Sequence, residues 1–412
     1  MPSSLQPEAL AERARAGGPA DLAEALQASR QDTLRTFAAW EAGLPRLHVP
    51  CDEGLNPPLW ELGHIGWFQS WWLTRNPAWR QGLRVDPRVR RAPPARPEAD
   101  GWYDSSRVPH RQRWGLPLPD ARATREDLAR GLDAALSLLA GTDETALGSD
   151  DALYFFRLAL FHEDMHHEAS LYMAHRLGVP IGDARWRPRP LPAPPPALAF
   201  EAGPWSLGSP AGHAFAFDNE LDAHPVTLAA TEIDAQAVRW AEFLPFVEDG
   251  GYLQTRWWTR EGRDWLARSA RRAPAALRRD GQGWLRVFEG RWQPLDPREA
   301  ACHLTAHEAL AWCRWAGRRL PTEAEWERAA CTSPPGRFRW GDVWEWTASA
   351  FSPYPGFVAH PYRDYSAPWF DGRPVLRGAS FMTQPRIRHP RYRNYFQAHR
   401  DDVPAGLRSC AL

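Results

Sequence analysis

The chain contains no lysine; all 50 of its basic residues are arginine. That excludes a lysine Schiff base and a Walker-type phosphate-binding lysine. Cysteine is sparse. Cys51, Cys302, Cys313, Cys331 and Cys410 are odd in number and no two form a CxxC pair. A disulfide framework or a structural zinc site is therefore not expected, and a reducing, cytoplasmic setting is. Net charge is absent, with 50 basic residues against 50 acidic ones, so no field favours nucleic acid or an acidic membrane surface. No run of about 18 apolar residues exists that could span a membrane. The start, MPSSLQPEALAERARAGG, lacks the apolar stretch of a signal peptide. No repeat of about 20–50 residues points to a solenoid.

Tryptophan and proline are plentiful, at 23 and 40 of 412 residues. Large aromatic anchors with many proline and glycine breaks suggest a domain held together by irregular loops. The length suggests two or three domains of about 100–200 residues each. The proline-dense stretch RPRPLPAPPPAL, from Arg187 to Leu198, reads as a linker. The expected organisation is a helical domain over residues 1–185, a linker over 186–198 and a second domain over 199–412.

Before the linker, four helices are expected. Asp21 to Trp40 is amphipathic. Pro57 and Pro58 can open a second helix running to about Arg75, because proline costs nothing in a first turn. Thr124 to Leu139 is the third. The fourth is LYFFRLALFHEDMHHEASLYMAHRLG, capped by Asp150 or Asp151 and stopped by Gly178 and Pro180. Four such helices suggest a bundle. The long proline-rich connection from about Asn76 to Asp120 is of a length usually associated with function or with covering a site. After the linker come short apolar segments, many turns, and a helix pair at HEALAWCRWAGR and TEAEWERAA.

The central signal is FHEDMHHEAS. His162 and His166 are four residues apart and share one helix face. Leu158, Ala169 and Met173 lie on the same stripe, so that face points inward. His64 falls on a stripe with Trp60, Trp67, Phe68 and Trp71. Two helices would thus aim three imidazoles at one point. Imidazole suits iron, zinc, copper and nickel, and three protein ligands leave positions open for chemistry. Glu168 is a candidate for orienting a histidine of a neighbouring helix, whereas Glu163 and Asp164 read as solvated. His167 and His175 read as surface or core residues. Two other readings stand beside this one. An HxxxH pair arises by chance in many helices, and HEDMH formally matches the HExxH zinc-protease motif.

NPPLWELGHIGWF and HEDMHHE resemble the DinB-like helical domain of the ergothioneine sulfoxide synthases. FDNELDAHPVTL, AWCRWAGRRLPTEAEWERAA, GDVWEWTASAFSPYPGF, VLRGASF and RYRNYF resemble, in order, a formylglycine-generating-enzyme-like domain with the C-type-lectin-like architecture. The resemblance spans about residues 30–412. It implies an α+β multidomain fold, a DinB-like four-helix bundle followed by a domain with little regular secondary structure. It also implies that His64, His162 and His166 hold Fe(II), and that O2 is used to join a chalcogen donor to C2 of the imidazole of hercynine, N-trimethylhistidine. Aromatic faces suit the trimethylammonium group, which has no hydrogen to donate.

This chain departs from the family pattern at several points. Phe351 stands where the motif Y-x-P-Y-P-G commonly has its first tyrosine, and Tyr354 keeps the second. Met165 replaces a glutamine that some relatives carry before the second helix histidine. The C-terminal segment NYFQAHRDDVPAGLRSC differs from the stretch that recognises gamma-glutamylcysteine in some relatives. The loop YDSSRVPHRQRWGLPLPD is similar to that of the selenoneine synthases, which take selenium from a selenosugar, and its Tyr103 is a candidate for the missing phenol. Selenosugar use is the favoured expectation; ergothioneine-type use of gamma-glutamylcysteine or cysteine, and a non-catalytic metal- or ligand-binding module, are the alternatives. Tyr103 and Tyr354 are the catalytic candidates. Arg107, Asn394, His399 and Arg400 are the substrate-binding candidates, each with a structural role as its alternative. No nucleic-acid or membrane partner is expected.

Overall fold

The structure, a computed structural model, describes residues 7–142, 151–212 and 214–412. Its first half is helical: α1 (Pro7–Ala16), α2 (Pro19–Gly43), α3 (Pro58–Trp72), α4 (Ala99–Tyr103), α5 (Ala121–Ala140) and α6 (Asp151–Leu177). Local chemistry sets their ends. Pro19 and Pro58 occupy first turns, where the missing N–H was unpaired anyway. The Asp120 side chain accepts from the Ala123 N–H at 2.8 Å and caps α5. Gly178 follows α6 with φ of 71°, a conformation glycine adopts without strain. The expected cap at Asp150 lies outside the described residues. Helices α2, α3, α5 and α6 pack on one another, and no described helix is long and apolar enough to cross a membrane.

The second half mixes short helices and strands. Its helices are α7 (Trp240–Glu248), α8 (Arg260–Ser269), α9 (Ala306–Trp315) and α10 (Glu323–Thr332). The last two start on reciprocal Thr–Glu capping boxes, Thr305 with Glu308 and Thr322 with Glu325. The strands are β1 (Leu198–Phe200), β2 (Gly203–Leu207), β3 (His224–Leu228), β4 (Thr231–Ile233), β5 (Leu277–Asp280), β6 (Gly283–Phe288), β7 (Arg291–Pro294), β8 (Trp344–Ala350), β9 (Pro374–Gly378), β10 (Asn394–Tyr395) and β11 (Ala405–Gly406). The central sheet runs β10-β9-β8-β11, with β8 antiparallel to β9 and parallel to β11. It presents Trp344 and the loops after β9 to α6.

Buried polar contacts join the two halves. Glu168 Oε1 accepts from Trp344 Nε1 at 2.7 Å, Ser380 Oγ at 2.8 Å and Thr383 Oγ1 at 2.8 Å. Glu168 therefore orients no histidine, contrary to the sequence expectation; it fastens α6 to the second half. Glu163 and Asp164 are likewise not solvated. Glu163 takes the Arg30 guanidinium at 2.8 and 3.0 Å, and Asp164 binds Ser29 at 2.7 Å and Arg386 at 2.8 Å. Helix α6 is surrounded on all sides, so its polar residues need partners instead of water. On the opposite flank, Arg15 of α1 pairs with buried Glu220 at 2.8 Å.

Candidate metal centre and adjoining cavity

One turn of α6 separates His162 from His166, and α3 sets His64 opposite them. The nitrogens of the three rings lie within 4.8 Å of one another. His64 stacks on Trp60, with centroids 4.7 Å apart and planes 11° apart. Its Nδ1 lies 2.7 Å from the Tyr103 main-chain oxygen. A carbonyl only accepts, so Nδ1 carries the proton and the Nε2 lone pair is free. His166 Nδ1 lies 2.5 Å from Glu61 Oε2 and is fixed in the same tautomer. His162 is 2% exposed and stacks on Phe68 at 3.5 Å, yet neither of its ring nitrogens has a hydrogen-bond partner. Leaving such a group unsatisfied costs about 1–3 kcal/mol. Two rings with oriented free nitrogens beside a third with none satisfied fit one metal ion. The zinc-protease reading loses its base, because Glu163 is occupied by Arg30.

Electrostatics favour the ligand form of the rings. Burial, reinforced by His166, pushes His64 down to about 3 and His162 well below the usual value. Each such ring takes up its proton only on unfolding. Its contribution to stability is complete above the unfolded value of about 6.5 and is lost as pH falls toward the folded one. These two rings alone account for a loss of roughly 2–3 kcal/mol per pH unit below about pH 6 in the metal-free protein, and His167, His175, His360 and His389, lowered by burial in the same way, steepen it further. Urea midpoints between about pH 7 and 5 check this; a flat profile would mean that the rings are charged in the folded state.

Glu61 was not singled out from the sequence. Its signal was a carboxylate inside the aromatic run LWELGHIGWF, where only a buried partner justifies a charge.

A cavity of about 290 Å³ opens beside His162 and His166, between α6 and the second half. Its walls are aromatic: Tyr172, Trp344, Tyr362, Tyr365, Trp369, Tyr392, Tyr395 and Phe396, with Glu168, Asp364 and Asn394 as polar groups beside the two histidines. Tyr365 donates to Tyr392 at 3.2 Å, and Tyr392 to Met165 Sδ at 3.3 Å. Among the described residues that line it, no arginine is present.

The predicted site residues are dispersed. Asn394 lines the cavity, and its Oδ1 accepts from the Tyr395 N–H at 2.8 Å. Arg400 sits behind the wall, over Phe396 at 5.1 Å and paired with Asp402 at 2.5 Å. Arg107 is 73% exposed beside Asp104. His399 is half-exposed, 3.5 Å from Glu53. Tyr354 is buried away from the cavity, donating to Glu323 at 3.2 Å with Arg393 3.9 Å above its ring. Tyr103 turns its ring toward Gly63 and into a separate cavity between α3 and α5, so the peptide oxygen, not the phenol, faces the metal centre. Phe351 stacks at 3.9 Å on Tyr395 and so supports the cavity wall from behind.

Residues 185–342 match the family described as the sulfatase-modifying factor enzyme 1-like domain. The chain is 32% identical to the hercynine oxygenase of Mycolicibacterium smegmatis, over 94% of this chain and 97% of that protein. It is also 32% identical to the hercynine oxygenase of Mycobacterium tuberculosis, over 95% and 98% of the two chains. The formylglycine-generating enzyme of Streptomyces coelicolor is 31% identical over 36% of this chain and 57% of its own length.

Proposed function

Since this chain belongs to the hercynine oxygenase family, we propose that it is an Fe(II)- and O2-dependent enzyme that joins selenium from a selenosugar to C2 of the hercynine imidazole. The metal reading is supported by the histidine cluster and its orphaned His162 nitrogens. Iron, when bound, supplies the redox chemistry that O2 requires. The balance is that of a four-electron oxidation. Hercynine gives up its C2 proton and the donor its chalcogen proton. A C2–Se bond forms, one oxygen atom ends on selenium, and the other leaves as water.

The protein's own contribution is placement and exclusion of water. Holding imidazole and donor together lowers the entropic cost of their encounter. The tyrosine and tryptophan faces suit the trimethylammonium group of hercynine. Tyr392, beside Met165 and hydrogen-bonded by Tyr365, offers a phenol in the cavity where position 351 offers none.

The observation that carries the donor assignment is the lack of an arginine among the described lining residues. Hercynine is a zwitterion that brings its own counter-charge. Gamma-glutamylcysteine adds a net negative charge, which is costly to bury without a cation. A sugar is neutral and asks for hydroxyl partners and a flat face. Asp364 and Asn394 provide the former, and Trp369 provides the latter. Replacing Trp369 with alanine is expected to raise the KM for the sugar about tenfold, the loss of one stacking face, while leaving the KM for hercynine unchanged. Steady-state kinetics with each substrate varied in turn check it.

The decisive test offers the iron-loaded protein hercynine and O2 with selenosugar, gamma-glutamylcysteine and cysteine in competition. Mass spectrometry is expected to find selenium on hercynine. A sulfur adduct as the main product would move the chain to the ergothioneine type. Hercynine recovered unchanged would favour a non-catalytic binding module.

A further inference from the structure

We propose that Arg113, Asn56 and Glu61 form a positioning relay that makes His166 the strongest donor of the three histidines; the inference rests on the metal reading above. The three rings have unequal partners. His64 gives its Nδ1 proton to a neutral peptide oxygen, His162 to nothing, and His166 to a carboxylate. A carboxylate acceptor draws on the Nδ1 proton and raises the basicity of the opposite nitrogen.

The relay lies in what holds that carboxylate. Glu61 is 5% exposed. Its second oxygen, Oε1, takes the Asn56 amide at 2.6 Å. Asn56 Oδ1 in turn accepts from the Arg113 guanidinium at 2.9 Å. Arg113 is thus one residue removed from Glu61, close enough to favour its anion and too far to compete with His166 for Oε2.

Arg113 also reaches the second ligand. Its guanidinium lies 3.9 Å above the ring of Trp60, the ring that stacks on His64. The turn that carries it, His110–Gly115, is anchored on both sides. His110 Nε2 lies 2.9 Å from the Leu55 oxygen, and Trp114 Nε1 donates to the Val49 oxygen at 2.8 Å. The same long connection supplies Tyr103, whose oxygen fixes His64. The connection between α3 and α5 therefore clamps α3 and the segment that precedes it, and Arg113 is where its charge enters.

The test measures metal binding instead of turnover. Fe(II) is titrated anaerobically against a chromophoric chelator, and the nitric oxide complex is examined by electron paramagnetic resonance. Glu61→Gln is expected to weaken Fe(II) binding about 10- to 100-fold. Arg113→Gln, on a half-exposed turn, is expected to weaken it about threefold and to shift the nitrosyl spectrum in the same direction, with the metal-free melting temperature unchanged. Arg113→Lys should recover part of the loss. The double variant should be no weaker than Glu61→Gln alone, because Arg113 acts through Glu61. Arg111→Gln, exposed on the same turn, is the control. A wild-type affinity and spectrum in Arg113→Gln, or additive losses in the double variant, would overturn the relay. Wild-type protein that takes up no Fe(II) would sink the functional reading together with the relay, whereas unresponsive variants of a protein that does bind would sink the relay alone.

Discussion

His162→Ala is expected to abolish iron binding and to lower turnover by at least about 10³-fold, without unfolding the protein. The argument turns on what the ring does in the absence of metal. Its two nitrogens are buried with no partner, and it packs flat on Phe68 at 3.5 Å. Truncation leaves a cavity, which destabilises by about 2–4 kcal/mol in a well-packed core. It also removes two unsatisfied polar atoms, each of which costs about 1–3 kcal/mol. The two changes oppose each other, so the metal-free variant should melt near the wild type. What disappears is the stabilisation that metal confers, about 2.7 kcal/mol at a hundredfold excess over Kd. Metal content and melting curves with and without Fe(II) check this. A variant that still gains stability from iron would remove His162 from the ligand set.

Glu168→Ala should be the most destabilising single change at the contact between the halves, by about 3–5 kcal/mol. It strands Trp344 Nε1 and leaves Ser380 Oγ and Thr383 Oγ1 only each other to donate to, where all three converge on one carboxylate oxygen. Because Trp344 also lines the cavity, activity should fall with stability. Glu168→Gln separates charge from hydrogen bonding. Its amide oxygen can still accept all three bonds, and burial already favours the uncharged carboxyl, so its cost should stay within about 1 kcal/mol. Urea midpoints of both variants decide; equal losses would show that the negative charge, not the acceptor, holds the halves together.

The helices were legible because their apolar periodicity is long and their ends carry chemistry. Pro58 at the first turn of α3, Asp120 capping α5 and Gly178 after α6 are local signals. Helix α1 was missed, since its short arginine- and glutamate-rich run shows its purpose only against Glu220, about two hundred residues away. The misreadings of Glu163, Asp164 and Glu168 share one cause. A helix covered on every side has no solvent face, and the partners Arg30, Arg386 and Trp344 come from elements whose placement no helical spacing reveals. Similarly, the step from Glu61 to His166 crosses between helices. The cavity wall was the least legible part. Tyr362, Tyr365, Trp369 and Tyr392 lie in segments with little regular structure, where sequence order says nothing of which ring faces inward. Tyr103 was noticed for its phenol, whereas it is the main-chain oxygen of that residue that meets His64.

The most direct measurement loads the protein anaerobically with Fe(II), counts the metal, and records the paramagnetic nitrosyl complex before and after hercynine is added. One iron per chain, with a spectrum altered by hercynine, is the expected result. A chain that keeps stoichiometric zinc after iron reconstitution, with no response to hercynine, would contradict the assignment of His64, His162 and His166 as the iron site of a hercynine-oxidising enzyme.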